Sequence, residues 1–312
     1  MNIRQIEYIL AVAEVGNFSQ AAEKCCITQS TLSTMVAKFE DEIDIQIFDR
    51  SKKPVTITRE GQVLISQLRL ISGEIRVLDD LVQSLKGELS GEISMGVIPT
   101  VAPYILPEFL NDFAQKLPNI TFSVSELNTQ AITERLLRRE LDVGILAIPL
   151  EEPLLKEIPL YREPFVLYDC SPAGRQGHAR LEHIDFSRFW VLAEGHCLHT
   201  QVRKICELDA HNAGAGVNFD FKAGSIESLV RFVEKNQGIT LLPFLACLDF
   251  PQRAFKKIAY FQPPVPVRTI GLVSHRHFAK TRILDLLESE IKEKIVPLLG
   301  MAPEAERVIA PL

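Results

Sequence analysis

Apolar positions recur in three successive rhythms along the chain. In the first, Ile3, Ile6, Ile9, Leu10 and Ala13 return at the three- and four-residue steps of one helix face, and Gly16-Asn17 ends that helix. Ser19 is placed to cap a second short helix, Gln20 to Cys26, with Glu23 near the capping-box position. Ile27 turns the chain, and Thr28 caps a third helix whose apolar side carries Leu32, Val36 and Phe39. Its other side shows Gln29, Ser30, Thr31, Ser33 and Thr34. Phe48 to Thr58 then reads as a short hairpin tipped with Arg50, Lys52 and Lys53.

The second rhythm is a heptad. Leu64, Leu68, Ile71, Ile75, Leu78, Val82 and Leu85 alternate steps of four and three, the seam of a coiled coil that needs a partner of matching length. Gly87 to Gly91 reads as a hinge. From Glu92 the third rhythm alternates strands and helices. It predicts strand Ile93 to Ile98, helix Tyr104 to Lys116, strand Thr121 to Leu127, helix Gln130 to Arg139 and strand Val143 to Ala147. Strands near Phe165 to Tyr168 and Phe219 to Lys222 follow, then helix Ile226 to Asn236, strands Ile239 to Leu242 and Arg268 to Val273, and a closing helix Lys280 to Val296. Such alternation predicts an α/β region with largely parallel sheets, long enough for two lobes with a cleft between them. Ligands in such folds sit at the carboxyl ends of strands, which points to Pro99-Thr100, Asn128-Thr129 and the loop before Cys197. Residues after Gly300 read as a loosely ordered tail.

These rhythms divide the chain into 1–58, 59–91, 92–300 and 301–312. In the first segment, two short helices joined by a tight turn, the second with an amide and hydroxyl face, suit a helix-turn-helix reader of double-stranded DNA. The basic hairpin would then be a wing that contacts phosphates. The first 60 residues hold seven Lys or Arg against nine Asp or Glu, so the case rests on arrangement and not on total charge.

The whole chain carries a formal charge of −6, which argues against bulk binding to polyanions. Arg4, Glu7 and Glu14 interrupt any signal-peptide core, and no uncharged run spans a bilayer, so the expectation is a cytoplasmic protein with no membrane contact. Six scattered cysteines do not form a disulfide framework. Two of them stand out. Gly195-His196-Cys197-Leu198-His199 is followed by Cys206, and Leu198 to Asp209 has helical spacing in Val202, Ile205 and Leu208. A thiol beside an imidazole and near a helix N-terminus is expected to have a lowered pKa, from about 8.5 toward neutrality. Nine residues of helix rise roughly 13 Å, and a disulfide needs Cα atoms within about 7 Å, so the pair could close only by unwinding the helix. That suits a switch; two packed thiols are the plainer alternative. His196, Cys197, His199 and Cys206 match no structural zinc spacing, and neither a metal nor a cofactor is expected.

In order, these parts resemble a LysR-type transcriptional regulator, and within that family its peroxide-sensing members. The resemblance runs from Met1 to about residue 297. It is carried by Asn2-Ile3-Arg4, Glu7-Tyr8, Thr28 to Ser33, Ile98-Pro99-Thr100-Val101, Glu194 to Leu198, Gly238 to Pro243 and Arg268 to Val273. Among these, the His-Cys-Leu run with its second cysteine is the narrowest. The family pattern implies a winged helix-turn-helix, a coiled-coil linker helix and a two-lobed α/β regulatory domain of periplasmic-binding-protein type. It further implies Cys197 as the peroxide-reactive thiol, Cys206 as its resolving partner through a reversible disulfide, and Thr100, Thr129, His196 and Arg268 as the groups around the peroxide. Homotetramers and contact with RNA polymerase belong to the same implication; the heptads by themselves argue for a dimer. Val267 before Arg268, the Cys25-Cys26 pair and the Gly-rich basic segment Ser171 to Ala179 depart from the pattern. Two alternatives stay open: a regulator of the same family gated by a small-molecule inducer in the interlobe cleft, and a thiol peroxidase, for which the first 90 residues would serve no purpose.

Overall fold

The computed structural model describes residues 1–85, 89–172, 177–180, 184, 188–193, 195–206, 221–300 and 305–311. The chain divides into two compact units, one of Met1–Gly87 with Arg138–Glu140, the other of Glu88–Leu137 with Leu141–Leu312.

The first unit opens with helix α1 (Ile3–Val15), closed at its N-terminus by a reciprocal Asn2–Gln5 capping box and at its C-terminus by Gly16 in the left-handed region. The second helix, α2 (Phe18–Lys24), starts two residues earlier than the sequence suggests. Its cap is Asn17, whose Oδ1 accepts from the amides of Ser19 and Gln20, so Ser19 lies inside the first turn. Asn17 thus begins a helix where it was read as ending one. Thr28 caps α3 (Gln29–Ile43) as expected, its hydroxyl accepting from the Thr31 amide. Strands β1 (Phe48–Asp49) and β2 (Thr56–Ile57) pair antiparallel as the wing. The long helix α4 (Arg59–Leu85) uses its heptad seam in two ways. Leu68 of the seam, with Ile65 just off it, is buried in this unit's own core, and the seam residues Leu64 and Ile71 pack beside them. Leu78 and Val82, further along the seam, are 59% and 41% exposed.

In the second unit, β3 (Gly91–Val97), β4 (Ile120–Glu126) and β5 (Val143–Ile148) form a parallel set. Helices α5 (Ala102–Lys116) and α6 (Thr129–Leu137) follow β3 and β4. The rest is not parallel. Strand β6 (Leu155–Asp169) is 15 residues long and runs antiparallel to β10 (Val265–His275), which is itself antiparallel to β5. The expected short strand near Phe165 is only the second half of β6; Pro159, Pro164 and four charged residues masked its first half. Its second half pairs antiparallel with β8 (Ile239–Pro243) and β9 (Ile258–Phe261), and β9 pairs parallel with β7 (Gly177–Ala179). The sheet is therefore mixed, because two long strands thread both halves in opposite directions. One apolar core gathers around β3, β4, β5, α5, α6 and the closing helix α10 (Thr281–Ile295). A second gathers around the far half of β6 with β8, β9, α7 (Cys197–Cys206) and α8 (Ile226–Lys235). These are the two lobes.

Two further expectations change. Phe221 and Lys222 are not in a strand, although Ala223 bridges to Leu192; Phe219 and Asp220 lie outside the described residues. Leu208, Asp209 and Glu194 also lie outside them, as does 173–176 of the Gly-rich segment. The chain beyond Gly300 is not a loose tail in 305–311: β11 (Glu306–Val308) pairs parallel with the start of β10, and Ile309 is buried in the second core. Burial of Ile309 supplies the apolar anchor that a short terminal strand needs.

Candidate peroxide-sensing site and DNA-reading face

The site forms where β6 and β10 pass from one core to the other. Here Glu163 and Arg268 are direct cross-strand partners, each only 1% exposed. Glu163 Oε2 accepts from Arg268 Nε at 2.9 Å and lies 2.8 Å from Nη2, while Oε1 accepts from the Leu245 amide just after β8. Arg268 in turn donates from Nη1 to the Thr100 hydroxyl at 3.0 Å and from Nη2 to the Thr100 carbonyl at 2.9 Å, reaching the loop between β3 and α5. Three of its five guanidinium N–H groups donate in these hydrogen bonds, and the Nη2 contact with Glu163 adds an ion pair. Thr100 lies in the loop after β3, and Leu245 follows β8 while its side chain packs in the first core, so this buried ion pair ties the β3–α5 loop to the segment after β8.

Cys197 opens α7 and is buried in the first core; Cys206 closes the same helix and is buried in the second. Both are free thiols, as are the other four cysteines. Burial pushes the Cys197 thiol above its ordinary pKa, against which the Arg268 charge, the Thr129 hydroxyl and the first amides of α7 pull it back. The expected lowering is therefore overridden by desolvation, which the sequence motif does not show. Burial alone pushes Cys206 up to about 12. His196 does not supply a positive charge: burial and neighbouring His199 lower its pKa, opposed by a hydrogen bond to the Gly224 backbone. It acts as a neutral imidazole. Thr129 starts α6, and its buried hydroxyl, which has no N or O partner among the described residues, faces the Cys197 thiol. A cavity of about 480 Å³ is lined by Thr129, Glu134, Glu152, His196, Cys197 and Pro311, among others.

Thus Thr129, His196 and Cys197 share one cavity, and Arg268 holds Thr100 while its charge acts on Cys197. Cys206 is not among them. Sequence reasoning missed Glu163, Gln201 and Tyr161. Tyr161 is buried with a hydroxyl that has no partner among the described residues, and its pKa is raised by burial and by Glu163. A buried charge in β6, 105 residues from its partner, has no local signature.

In the first unit, Gln29, Ser30, Thr31 and Thr34 are exposed at the start of α3, and Lys52 and Lys53 are exposed at the wing tip. Ser33 is half-buried. Arg50 was read as a phosphate contact, but its Nη2 is 2.8 Å from buried Glu40 Oε2, its Nη1 donates to Ser33 Oγ, and its guanidinium lies 4.8 Å from the Phe18 ring centre. It braces the wing against α2 and α3, because a nearly fully buried Glu40 carboxylate requires a cation.

Residues 3–62 match the bacterial regulatory helix-turn-helix protein model of the lysR family, and residues 86–294 match the LysR substrate binding domain. The chain belongs to the LysR family of transcriptional regulators. It is 35% identical over 278 residues to the DNA-binding transcriptional dual regulator OxyR of Escherichia coli K12, covering 88% of this chain and 89% of that protein. It is 33% identical over 310 residues to the probable hydrogen peroxide-inducible genes activator of Mycobacterium leprae, covering 94% and 97%. Among solved structures, a full-length cysteine variant of OxyR from Pseudomonas aeruginosa superposes with a TM-score of 0.74 at 29% identity, covering 95% of this chain and 99% of that one. A hydrogen-peroxide-bound cysteine variant of Corynebacterium glutamicum OxyR gives 0.63 at 26% identity, covering 96% and 94%. This LysR-family chain is thus an OxyR-like regulator, which sets the thiol peroxidase alternative aside.

Proposed function

We propose that this regulator is switched by hydrogen peroxide at Cys197. The Cys197 thiolate attacks one peroxide oxygen and becomes sulfenic acid, while the other oxygen leaves as hydroxide and takes a proton to form water. Condensation of the sulfenic acid with the Cys206 thiol then forms the disulfide and releases a second water. Arg268 supports both the thiolate and the departing hydroxide, and the hydroxyls of Thr100 and Thr129 with the neutral His196 imidazole hold the peroxide oxygens. The observation that carries this reading is a buried thiol under the influence of a buried guanidinium, with a second thiol at the far end of its own ten-residue helix. Over that length the rise is about 13 Å, so the disulfide requires α7 to unwind.

The same reading makes α3 and the wing the DNA interface, with Gln29, Ser30, Thr31, Ser33 and Thr34 toward base edges and Lys52 and Lys53 toward phosphates. Exposed Leu78 and Val82 on α4 favour a homodimer along the linker, on which a tetramer and contact with RNA polymerase would build. Mixing reduced protein with one equivalent of peroxide and counting free thiols tests the proposal. Rapid loss of two thiols supports it; no loss gives the cleft to a small-molecule inducer instead.

A further inference from the structure

The sequence end that reads as a tail is attached to α7. Gln201, in the middle of that helix, is fully buried, and its Nε2 donates to the Ile309 carbonyl at 2.9 Å. Its Oε1 is buried without a partner among the described residues. Ile309 in turn donates its amide to the Val267 carbonyl at 2.8 Å, the residue before Arg268, and Glu306 pairs with Arg162 of β6 at 2.7 Å. Val265, Pro266 and Val267 lie opposite Glu306, Arg307 and Val308 in the β10–β11 ladder. Pro311, two residues on, lines the cavity that contains Cys197. One short segment therefore touches the helix between the two cysteines, the strand that carries the arginine and the mouth of the cavity.

We propose that Gln201 is a positioning residue and that segment 305–311 is the latch it closes. Through Ile309 it holds α7 in the form that keeps Cys197 and Cys206 apart, and its release accompanies oxidation. This rests on the disulfide reading of α7 above. Unwinding α7 displaces Gln201, and the Ile309 carbonyl loses its donor inside the core, where an unmet acceptor is costly. The least expensive response is for β11 to leave β10, since three residues of ladder and one buried isoleucine hold it. The latch thus favours the dithiol form and makes the couple more oxidising than its cysteines would be alone.

Two variants cut the link from opposite sides. Gln201→Leu removes the donor and the unpartnered oxygen while keeping bulk; Ile309→Pro removes the amide that bonds Val267. Each, equilibrated with glutathione buffers, should shift the Cys197–Cys206 equilibrium severalfold toward the disulfide, and the double variant should shift no further than either one. General destabilisation would not produce a shared, non-additive shift. In the wild type, trypsin should cut after Arg307 faster once the protein is oxidised, and in reduced Gln201→Leu it should cut faster without oxidation. Disulfide content is measured by mass spectrometry in the same samples. A disulfide that forms with no change in Arg307 protection, or additive shifts in the double variant, overturns the latch alone. Absence of a Cys197–Cys206 disulfide overturns the switch and the latch together.

Discussion

Helices α3 and α7, proposed to read DNA and to switch with peroxide, are built in opposite ways. Helix α3 is capped by Thr28, ends on Asp44 in the left-handed region, buries one stripe through Leu32, Val36 and Phe39, and leaves its polar face to solvent. Its one buried carboxylate, Glu40, accepts from the Ile47 and Phe48 amides and from Arg50. Helix α7 is buried on several sides, with Cys197 in one core and Cys206 in the other. It also contains two buried polar atoms without partners among the described residues, His199 Nε2 and Gln201 Oε1, although His199 Nδ1 bonds the Leu192 carbonyl at 2.6 Å. A reading element has to present the same surface each time it meets DNA. On the proposed function α7 is a switching element, which has to open, and His199 Nε2, buried without a partner among the described residues, lowers the cost of opening it.

The sharpest way to break the contrast is to remove the thiols. Cys197→Ser should abolish peroxide-dependent thiol loss at α7 while leaving DNA affinity intact, since the two functions reside in different units. Cys206→Ser should still oxidise at Cys197 but stop at sulfenic or overoxidised forms, seen as mass increments without a cross-link. DNA binding that falls with Cys197→Ser in reduced protein would show that α7 has no separate switching role.

Next in size is the buried ion pair. Arg268→Ala should slow oxidation of Cys197 and destabilise the second unit by about 3–5 kcal/mol, because Glu163 is left charged and unpaired in the core. Replacing both Glu163 and Arg268 by alanine should recover a large part of that stability but not the oxidation rate. Chemical denaturation and stopped-flow thiol assays separate the two effects. A double variant that regains its rate would remove Arg268 from the chemistry.

How legible this was in the sequence follows the same contrast. Helix α3, the wing and the rhythm of the first lobe were readable because their apolar periodicity and the Thr28 cap are local. Strand β6 was half hidden, since Pro159, Pro164, Arg162 and Glu163 argue against a strand until β10 accepts them across the sheet. The identity of Cys197 came through a motif, yet the sign of its pKa shift did not, because desolvation depends on what the fold places around the sulfur. Glu163 and Gln201 were invisible for a related reason: each is defined by a partner about a hundred residues away. Asn17 shows that even a local cap can be misassigned when Gly16-Asn17-Phe18-Ser19 offers two capping side chains.

A smaller test is pH. Cys197 is raised above the ordinary thiol value by burial, so at neutral pH only a minority is thiolate and the rate of its oxidation should climb about tenfold per pH unit until that raised pKa is passed. Disulfide closure should follow a different law. Cys206, at about 12 while α7 is folded, ionises only after it is exposed, so the second step should track helix opening and respond to low denaturant. If both steps share one pH profile and neither responds to denaturant, α7 is no nearer its stability limit than α3.

The smallest effects belong to the reading unit, and they separate three residue roles that the sequence treats alike. Gln29→Ala removes an exposed amide at the start of α3 and should cost about 1–3 kcal/mol on cognate DNA with little change on scrambled DNA. Lys52→Ala and Lys53→Ala should weaken both sequences equally and each reduce the slope of log affinity against log salt by about 1. Lys52 lies 3.5 Å from Asp49, a largely exposed pair that competes only weakly with a phosphate. Arg50→Ala should behave unlike either lysine, although the three sit within four positions of one another. Its guanidinium is already committed to Glu40 and Ser33, so its loss should lower the thermal stability of the unit and loosen α3 against the wing, with the salt slope nearly unchanged. Arg50→Lys should rescue little, because one ammonium cannot span both partners while lying over the Phe18 ring. A salt slope that drops as much for Arg50→Ala as for Lys52→Ala, with no loss of stability, would return Arg50 to the phosphate contacts and show that α3 owes its fixed surface to the helix alone.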